Sequence, residues 1–200
     1  MSFFSKSLFI KLVGGLVILS TTSYAAQARP IAQEKKEVLK QASNFAQSVA
    51  CYTTFANDSE DDKTTVKDIY LVESIEEYAE YFVLWSGDWG CAGGASTYRT
   101  YLTSFSKLAD NRPFIVDKQD ILADINADGY LVNDRFIEDV KYEKGRFIIT
   151  GSDFSNAGDY EGNNFPANRY KYTLAKVDSN DESKWVLLDK KLLGKNKYDN

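Results

Sequence analysis

The chain has 200 residues and a formal net charge of −5, from 24 lysines and arginines against 29 aspartates and glutamates, and it contains no histidine. Without histidine the protein cannot build a Ser-His-Asp triad, a Cys-His nucleophile, a His-ligated zinc or a histidine general base. The acidic balance and the lack of clustered basic residues disfavour nucleic acid and anionic membranes as partners, because lysine and arginine bind both by displacing counterions.

The first 25 residues have the features of a cleavable export signal. Lys6 and Lys11 form a charged region, Leu12–Leu19 is a short apolar run, and Ser23-Tyr24-Ala25 is a small-x-small cleavage site. The apolar run is too short for a transmembrane helix, which needs about 20 residues. We therefore expect a signal peptide at residues 1–25 and a periplasmic protein, with extracellular release as the alternative.

The remainder of the chain has the size of a single domain. Removing the signal leaves 175 residues with a net charge of −7, because two lysines leave with it. This length suits one well-buried core. We expect one domain over residues 26–194 and a flexible tail at 195–200; a second cleavage site, after Ala28, would shorten the mature chain by three residues.

The only two cysteines, Cys51 and Cys91, predict a disulfide bond. An even cysteine count in an exported chain favours pairing, and there is neither C-x-x-C spacing nor a histidine to activate a thiol. The two cysteines are 40 residues apart. In the chain-entropy model, a disulfide that closes a loop of this length stabilises a fold by about 4 kcal/mol.

Apolar periodicity predicts one amphipathic helix over residues 31–52, with its apolar positions on one face, namely Val38, Ala42, Phe45, Val49 and Tyr52. From residue 64 onward, β-branched and aromatic residues broken by turn residues indicate strands, and short connections favour antiparallel neighbours. We therefore expect an α+β fold in which the helix packs on a curved antiparallel β-meander. The predicted strands cover residues 66–72, 78–85, 97–105, 113–117, 136–142, 146–150, 169–177 and 184–189. Glu143-Lys144-Gly145 predicts a tight hairpin between the strands at 136–142 and 146–150.

The link between two predicted strands, Leu84–Thr97, is rich in glycine and contains two tryptophans. Glycines allow close approach of another chain, and an exposed tryptophan is a typical interface anchor. This interpretation makes Trp85, Asp88 and Trp89 contact residues. The structural alternative is that Trp85 points inward, Trp89 covers the Cys51–Cys91 bond, and the glycines only turn the chain.

A long polar loop at residues 152–167 contains spaced aromatic residues, including Tyr160 and Phe165. Long loops in small domains are typically binding surfaces or covers over a sheet edge. We expect Tyr160 and Phe165 to be further contact residues.

The segment from Asp124 resembles the first half of a calcium loop, with oxygen ligands at alternate positions and a following glycine. The second half departs from the pattern, because Arg135 occupies the twelfth position and Asp134 lies one residue early. The two alternatives are a weak calcium site formed by Asp124, Asn126, Asp128 and Asp134, and a polar hairpin turn. No other cofactor is expected.

Carboxylates alone can catalyse glycoside hydrolysis, so an enzyme built from Asp88, Asp153, Asp159 and Glu161 is a minor alternative. Nothing in their spacing requires these four side chains to face one another, and all lie in predicted loops where aspartate commonly forms turns. We expect a protein without enzymatic activity.

Three features together resemble a group of exported bacterial proteins of unknown function. They are the helix ending near Cys51, the loop Trp85-Ser86-Gly87-Asp88 followed by Cys91-Ala92-Gly93-Gly94, and the pattern at residues 140–147 leading to residues 170–174. The resemblance implies an envelope location and a non-catalytic domain. It brings no active site with it.

The expected function is therefore that of a periplasmic binding or accessory protein that contacts another envelope protein. Such a partner is a secretion apparatus or a cell-wall enzyme that the domain inhibits, as an immunity protein does. The alternative is a module that binds a small ligand, namely a glycan or a peptidoglycan fragment.

Overall fold

A computed structural model describes residues 29–56, 63–94, 97–127, 129, 131–154, 166, 168–179 and 182–195. Most of these residues lie in antiparallel strands, and an N-terminal helix precedes them, so the α+β class is confirmed. The elements are α1 Ile31–Val49, β1 Ala50–Cys51, a 3-10 turn Val66–Asp68, β2 Ile69–Ile75, β3 Tyr78–Trp89, β4 Tyr98–Lys107, β5 Ile115–Val116, α2 Ile121–Asn126, β6 Ile137–Glu143, β7 Arg146–Asp153, β8 Asn168–Ser179 and β9 Glu182–Lys195.

The strands form two sheets rather than the single meander that we expected. In sheet 1, β3 pairs with β1, β2 and β4, and β4 pairs with β5. Sheet 2 is a meander in the order β6-β7-β8-β9. The predicted hairpin between β6 and β7 is present, and both Lys144 and Gly145 have positive φ angles, of 51° and 75°, as a tight type I′ turn requires.

The helix α1 packs on one face of sheet 1 through small residues. Val38, Ala42 and Ala46 are fully buried, and their short side chains let the helix lie close to the sheet. The predicted helix is three residues too long, because the chain leaves α1 to pair with β3. Tyr52 is consequently 81% exposed instead of lying on the apolar face.

Strand β3 is buried on both faces because the two sheets stack. Tyr81, Val83 and Trp85 face α1, whereas Phe82 faces sheet 2, as the two-residue period of a strand dictates. The ring of Phe82 lies 5.3 Å from Phe147 and 5.5 Å from the ring of Trp185, measured between centroids. The order of layers is therefore helix, sheet 1 and sheet 2.

A short second helix, α2, covers Ile121–Asn126, where the sequence predicted neither a helix nor a strand. Asp120 caps its first residues, and Ile121, Leu122 and Ile125 are buried in the core between the sheets. These three apolar side chains explain why the segment folds as a helix.

The predicted disulfide is confirmed. Cys51 in β1 bonds to Cys91 just after β3, with the Cα atoms 5.0 Å apart, and the bond joins the end of α1 to sheet 1. Within the part of the chain that the structure describes, no helix is both long and apolar enough to cross a membrane.

A buried ionic network attaches the start of α1 to sheet 1. The Glu34 carboxylate, which is 2% exposed, accepts hydrogen bonds from Arg29 Nε at 2.8 Å, Lys107 Nζ at 2.6 Å and the Tyr81 hydroxyl at 2.8 Å. Arg29 also donates to the backbone carbonyls of residues 76, 77 and 78 in the β2–β3 turn. Arg29, two residues before α1, is thus fixed by an ion pair and by hydrogen bonds to the backbone.

Candidate binding cleft beside Trp89

Trp89 ends β3 beside a hydrogen bond and a disulfide that both restrain the chain. The backbone N–H of Gly90 donates to the Val49 carbonyl at 2.7 Å, and the next residue, Cys91, is in the disulfide. The Trp89 ring packs against Phe45 and Tyr101, at centroid distances of 6.0 and 5.4 Å. Trp89 is half-buried, so part of its ring remains accessible at the surface.

The neighbouring residues that we predicted as contacts have structural roles. Trp85 is 1% exposed and lies in the core, where its Nε1 donates to the Thr103 hydroxyl at 2.8 Å. Asp88 is 3% exposed, and its Oδ2 accepts from the backbone N–H of Gly93 at 2.8 Å. Gly93 has a φ of +73°, a conformation that favours glycine, so this contact closes the turn after Trp89.

The cleft lies along the free edge of β4, beyond the short pairing with β5. Three N–H groups on this edge donate to residues outside the sheet: that of Leu102 to Asp120 Oδ1 at 3.1 Å, that of Thr100 to the Asp134 carbonyl at 2.9 Å, and that of Ser104 to the Lys118 carbonyl at 2.9 Å. Two adjoining depressions of about 470 and 430 Å³ open here. Both are lined by Trp89, Tyr101, Asp120 and Ala123.

Asp120 is the most perturbed carboxyl group of the cleft. Burial raises the pKa of Asp120 to about 7, although the backbone N–H groups of Leu102, Leu122 and Ala123 that donate to it act in the opposite direction. The group therefore changes its charge near neutral pH while it caps α2 and supports the β4 edge.

Asp134 lines one of the two depressions together with Asp120. It is 5% exposed, and its Oδ2 accepts from Arg99 Nη1 at 3.3 Å, whereas no group among the described residues bonds its buried Oδ1. Burial raises the pKa of Asp134, and the positive charge of Arg99 opposes that shift. A buried carboxylate oxygen without a partner is energetically unfavourable.

The cleft has an acidic character with an aromatic wall. The lining aspartates outnumber the lining cations, Arg99 and Lys118. Such a surface attracts a positively charged group, and the Trp89 ring can bind a cation over its face. The lining aspartates are Asp117, Asp120, Asp124 and Asp134.

The residues of the predicted calcium loop do not share one loop. Asp124 lies within α2, and the Asn126 side-chain oxygen accepts from the backbone N–H groups of Leu131 and Val132 at 3.0 and 2.9 Å. Asp134 bonds Arg99, and Asp128 lies outside the described residues. Over the described ranges, no three acidic, cysteine or histidine side chains come close enough together to hold a metal ion.

The other predicted site residues lie apart from the cleft or outside the described residues. Asp153 belongs to sheet 2, where it accepts from Lys190 Nζ at 2.6 Å and from the Tyr172 hydroxyl at 3.2 Å. It shares no partner with Asp88 in sheet 1. Tyr160 and Phe165, like Asp159 and Glu161, lie outside the described residues.

Comparisons with protein-family models, with curated proteins and with solved structures find no match to this chain. The resemblance noted from the sequence stays a prediction. The cleft must be interpreted from its own geometry.

Sequence reasoning missed Tyr101, Arg99 and Asp120 as cleft residues. Asp120 carried a detectable signal, because an aspartate immediately before an apolar pair is typical of a helix N-cap. No sequence signal identified Arg99 or Tyr101, because their position depends on the β3–β4 register, which places Tyr101 opposite Trp85.

Proposed function

We propose that the protein is a non-enzymatic binding or accessory protein of the bacterial envelope, and that the cleft beside Trp89 contacts another envelope protein. The observation that carries this proposal is the half-buried Trp89 ring, held at the mouth of an acidic cleft by a disulfide-closed turn. Partially exposed tryptophans in fixed pockets are typical interface hot spots.

Rigidity supports the choice of Trp89. The Gly90 N–H bond to Val49, the Asp88 bond to Gly93 and the disulfide all restrain the turn that begins after Trp89. A side chain that is already ordered loses little conformational entropy when it binds, which favours affinity.

The charge of the cleft suggests the chemistry of the partner. A lysine or arginine side chain of the partner would lie over the Trp89 ring, in the depression that Asp120 and Asp134 also line. This arrangement would combine a cation–π contact with electrostatic complementarity. Both candidate partner classes, a secretion component and an inhibited cell-wall enzyme, can present such a side chain.

The test compares three baits in a pull-down from envelope extract: the oxidised wild-type protein, Trp89→Ala, and the control Leu108→Ala. Leu108 is 72% exposed on the turn after β4, away from the cleft lining. A partner identified with the wild type is then purified and titrated. We expect Trp89→Ala to weaken its binding about 30-fold, the effect of a 2 kcal/mol hot spot, and Leu108→Ala to leave it unchanged. Equal binding by Trp89→Ala would refute this contact surface.

Export is the second part of the proposal. The disulfide is consistent with an oxidising compartment, where such bonds persist. Intact mass spectrometry of protein recovered from the periplasm should give the mass of residues 26–200 less two hydrogens. A full-length mass, or two free thiols, would contradict export with cleavage after Ala25.

A further inference from the structure

A second pocket opens between the two sheets, on the face of sheet 1 opposite to α1. On this face of β3 and β4, the paired residues Leu84 and Leu102 belong to the core cluster between the sheets. The next pair on the same face of the sheet, two residues further along each strand, is Ser86 and Thr100. On this face the leucine pair is therefore followed by a pair of hydroxyl-bearing side chains. A pocket of about 420 Å³ opens there, lined by Leu84, Ser86 and Thr100 among other residues.

The hydroxyl groups of the pocket are fixed before any ligand arrives. Ser86 Oγ and Thr100 Oγ1 are 3.0 Å apart, and Thr54 Oγ1 and Thr64 Oγ1 are 2.7 Å apart. Thr64 also donates to the Leu84 carbonyl at 3.3 Å. A hydroxyl offers one donor and two acceptor positions, so the half-buried Ser86 and Thr100 retain capacity for a ligand.

The rim of the pocket supplies an aromatic ring and a cation. Tyr98 is 42% exposed and stands beside Thr100 on β4, and Lys67 comes from the 3-10 turn. The two acidic groups at the rim are already engaged, since Asp68 accepts from Thr65 at 2.7 Å and Glu138 binds Arg169 and Ser152. Two lysines, Lys63 and Lys67, line the pocket beside these engaged carboxylates. Lys67 is the one that also lines the adjoining depression.

The pocket continues into a groove rather than closing. A second depression of about 490 Å³ shares Lys67, Asp68, Leu84 and Glu138 with it and extends along Tyr70 and Tyr142. Its lining also includes Glu143 and the ion pair of Lys141 with Asp139, 3.1 Å apart. These two tyrosines donate to carbonyls on the opposite sheet, at 2.9 and 3.4 Å, and so fix the separation of the groove walls. The combined space accommodates more than one ring of an extended ligand.

We propose that this groove binds an acidic oligosaccharide. A sugar ring would place its apolar face on Tyr98 and its hydroxyls on Ser86 and Thr100, and a carboxylate on the sugar would pair with Lys67. Hydroxyl-lined walls match the alternating donors and acceptors of a sugar, and aromatic rings match its C–H faces. This site is separate from the Trp89 cleft and does not depend on it.

The ligands for the test form two matched sets. One is the disaccharide of N-acetylglucosamine and N-acetylmuramic acid, with its neutral counterpart di-N-acetylchitobiose, which lacks the lactyl carboxylate. The other is trigalacturonate with neutral maltotriose. Binding to the full mature protein is followed by calorimetry and by shifts of the Ser86 and Thr100 amide signals in NMR. The set that binds identifies the source of the acidic sugar.

Three variants assign the binding to named groups. We expect Thr100→Val, which keeps the side-chain shape, to weaken binding about fivefold, and Tyr98→Ala to weaken it about tenfold. Lys67→Gln should weaken binding of the acidic sugar in each set about fivefold, so that its affinity equals that of the neutral sugar. Trp89→Ala serves as the control and should bind like the wild type.

Several results would overturn the proposal. They are no saturable binding by any of the four sugars, binding that Thr100→Val and Tyr98→Ala leave unchanged, or a neutral sugar that binds as well as the acidic one. Loss of sugar binding in Trp89→Ala would move the site to the other cleft. Because the two sites use different residues, failure here leaves the proposed protein contact unaffected.

Discussion

Replacing Glu34 by glutamine should destabilise the protein by about 3 kcal/mol. The Glu34 Oε1 atom accepts only from Lys107, and Oε2 accepts from Arg29 and Tyr81. A glutamine that keeps its oxygen toward Arg29 and Tyr81 points its NH₂ donor at the buried Lys107 ammonium. Removing one partner of a buried ion pair costs about 3 to 5 kcal/mol, because the other charge stays buried.

Asp110 is the reason to expect the lower end of that range. Its carboxylate lies 3.7 Å from Lys107 Nζ and 3.8 Å from Arg29 Nη2, and it is mostly exposed. It can therefore replace part of the lost attraction. The control is Glu37→Gln, three residues further along α1 on an exposed face, for which we expect a change below about 0.5 kcal/mol.

The assay is urea unfolding as a function of pH. Burial alone would raise the pKa of Glu34, but the hydrogen bonds from Lys107, Arg29 and Tyr81 outweigh it, so the pKa lies below 4.5. A depressed carboxyl pKa stabilises the fold above pH 4.5, and this stabilisation is lost as the pH falls through the folded-state pKa. The difference between wild type and Glu34→Gln should therefore shrink in acid. A loss below 1 kcal/mol at pH 7, or a difference independent of pH, would refute the reasoning.

Three further predictions concern the covalent bond, a close contact and the cleft. Changing both cysteines to serine should lower the free energy of unfolding by about 4 kcal/mol. Gly151→Ala should destabilise by about 1 to 3 kcal/mol in the same assay, because a Cβ at Gly151 would lie 2.7 Å from the Phe136 carbonyl oxygen. Trp89 fluorescence should titrate with a midpoint near pH 7, set by Asp120, and Asp120→Asn should abolish this transition while Asp124→Asn keeps it.

The charge state of Asp120 also has a defined effect on stability. Its pKa is raised from 3.8 in the unfolded chain to about 7 in the fold, so the folded state holds a proton that the unfolded state has lost between these values. The free energy of unfolding of the wild type, relative to Asp120→Asn, should accordingly fall as the pH rises from 4 to 7.

The features predictable from the sequence were local ones. The helix face at Val38 and Ala42 follows from periodicity, the disulfide follows from the cysteine count, and the β6–β7 turn follows from Lys144-Gly145. Each depends on residues close in sequence or on a count. The stacking of two sheets depends instead on Phe82 meeting Phe147, 65 residues later, and no local pattern encodes that contact.

The helix α2 was not predicted from the sequence, and the reason is physical. Alternating oxygen-bearing residues from Asp124 matched the start of a calcium loop, but Ile121 and Leu122 precede them and are buried between the sheets. Burial of these side chains and the cap from Asp120 favour a helix over an open loop. The capping residue, Asp120, is also the cleft carboxyl group that the sequence analysis did not identify.

Three separate contacts restrain the turn that follows Trp89. β1 contributes only two residues to sheet 1, yet Cys51, Asp88 and Gly90 each fix the segment around Trp89. If this rigidity serves binding, reduction should weaken partner affinity under conditions where circular dichroism still reports a folded protein. The control is the Trp89→Ala variant, in which reduction should change nothing further. Equal partner affinity of the oxidised and reduced wild type would mean that the bond stabilises the fold alone.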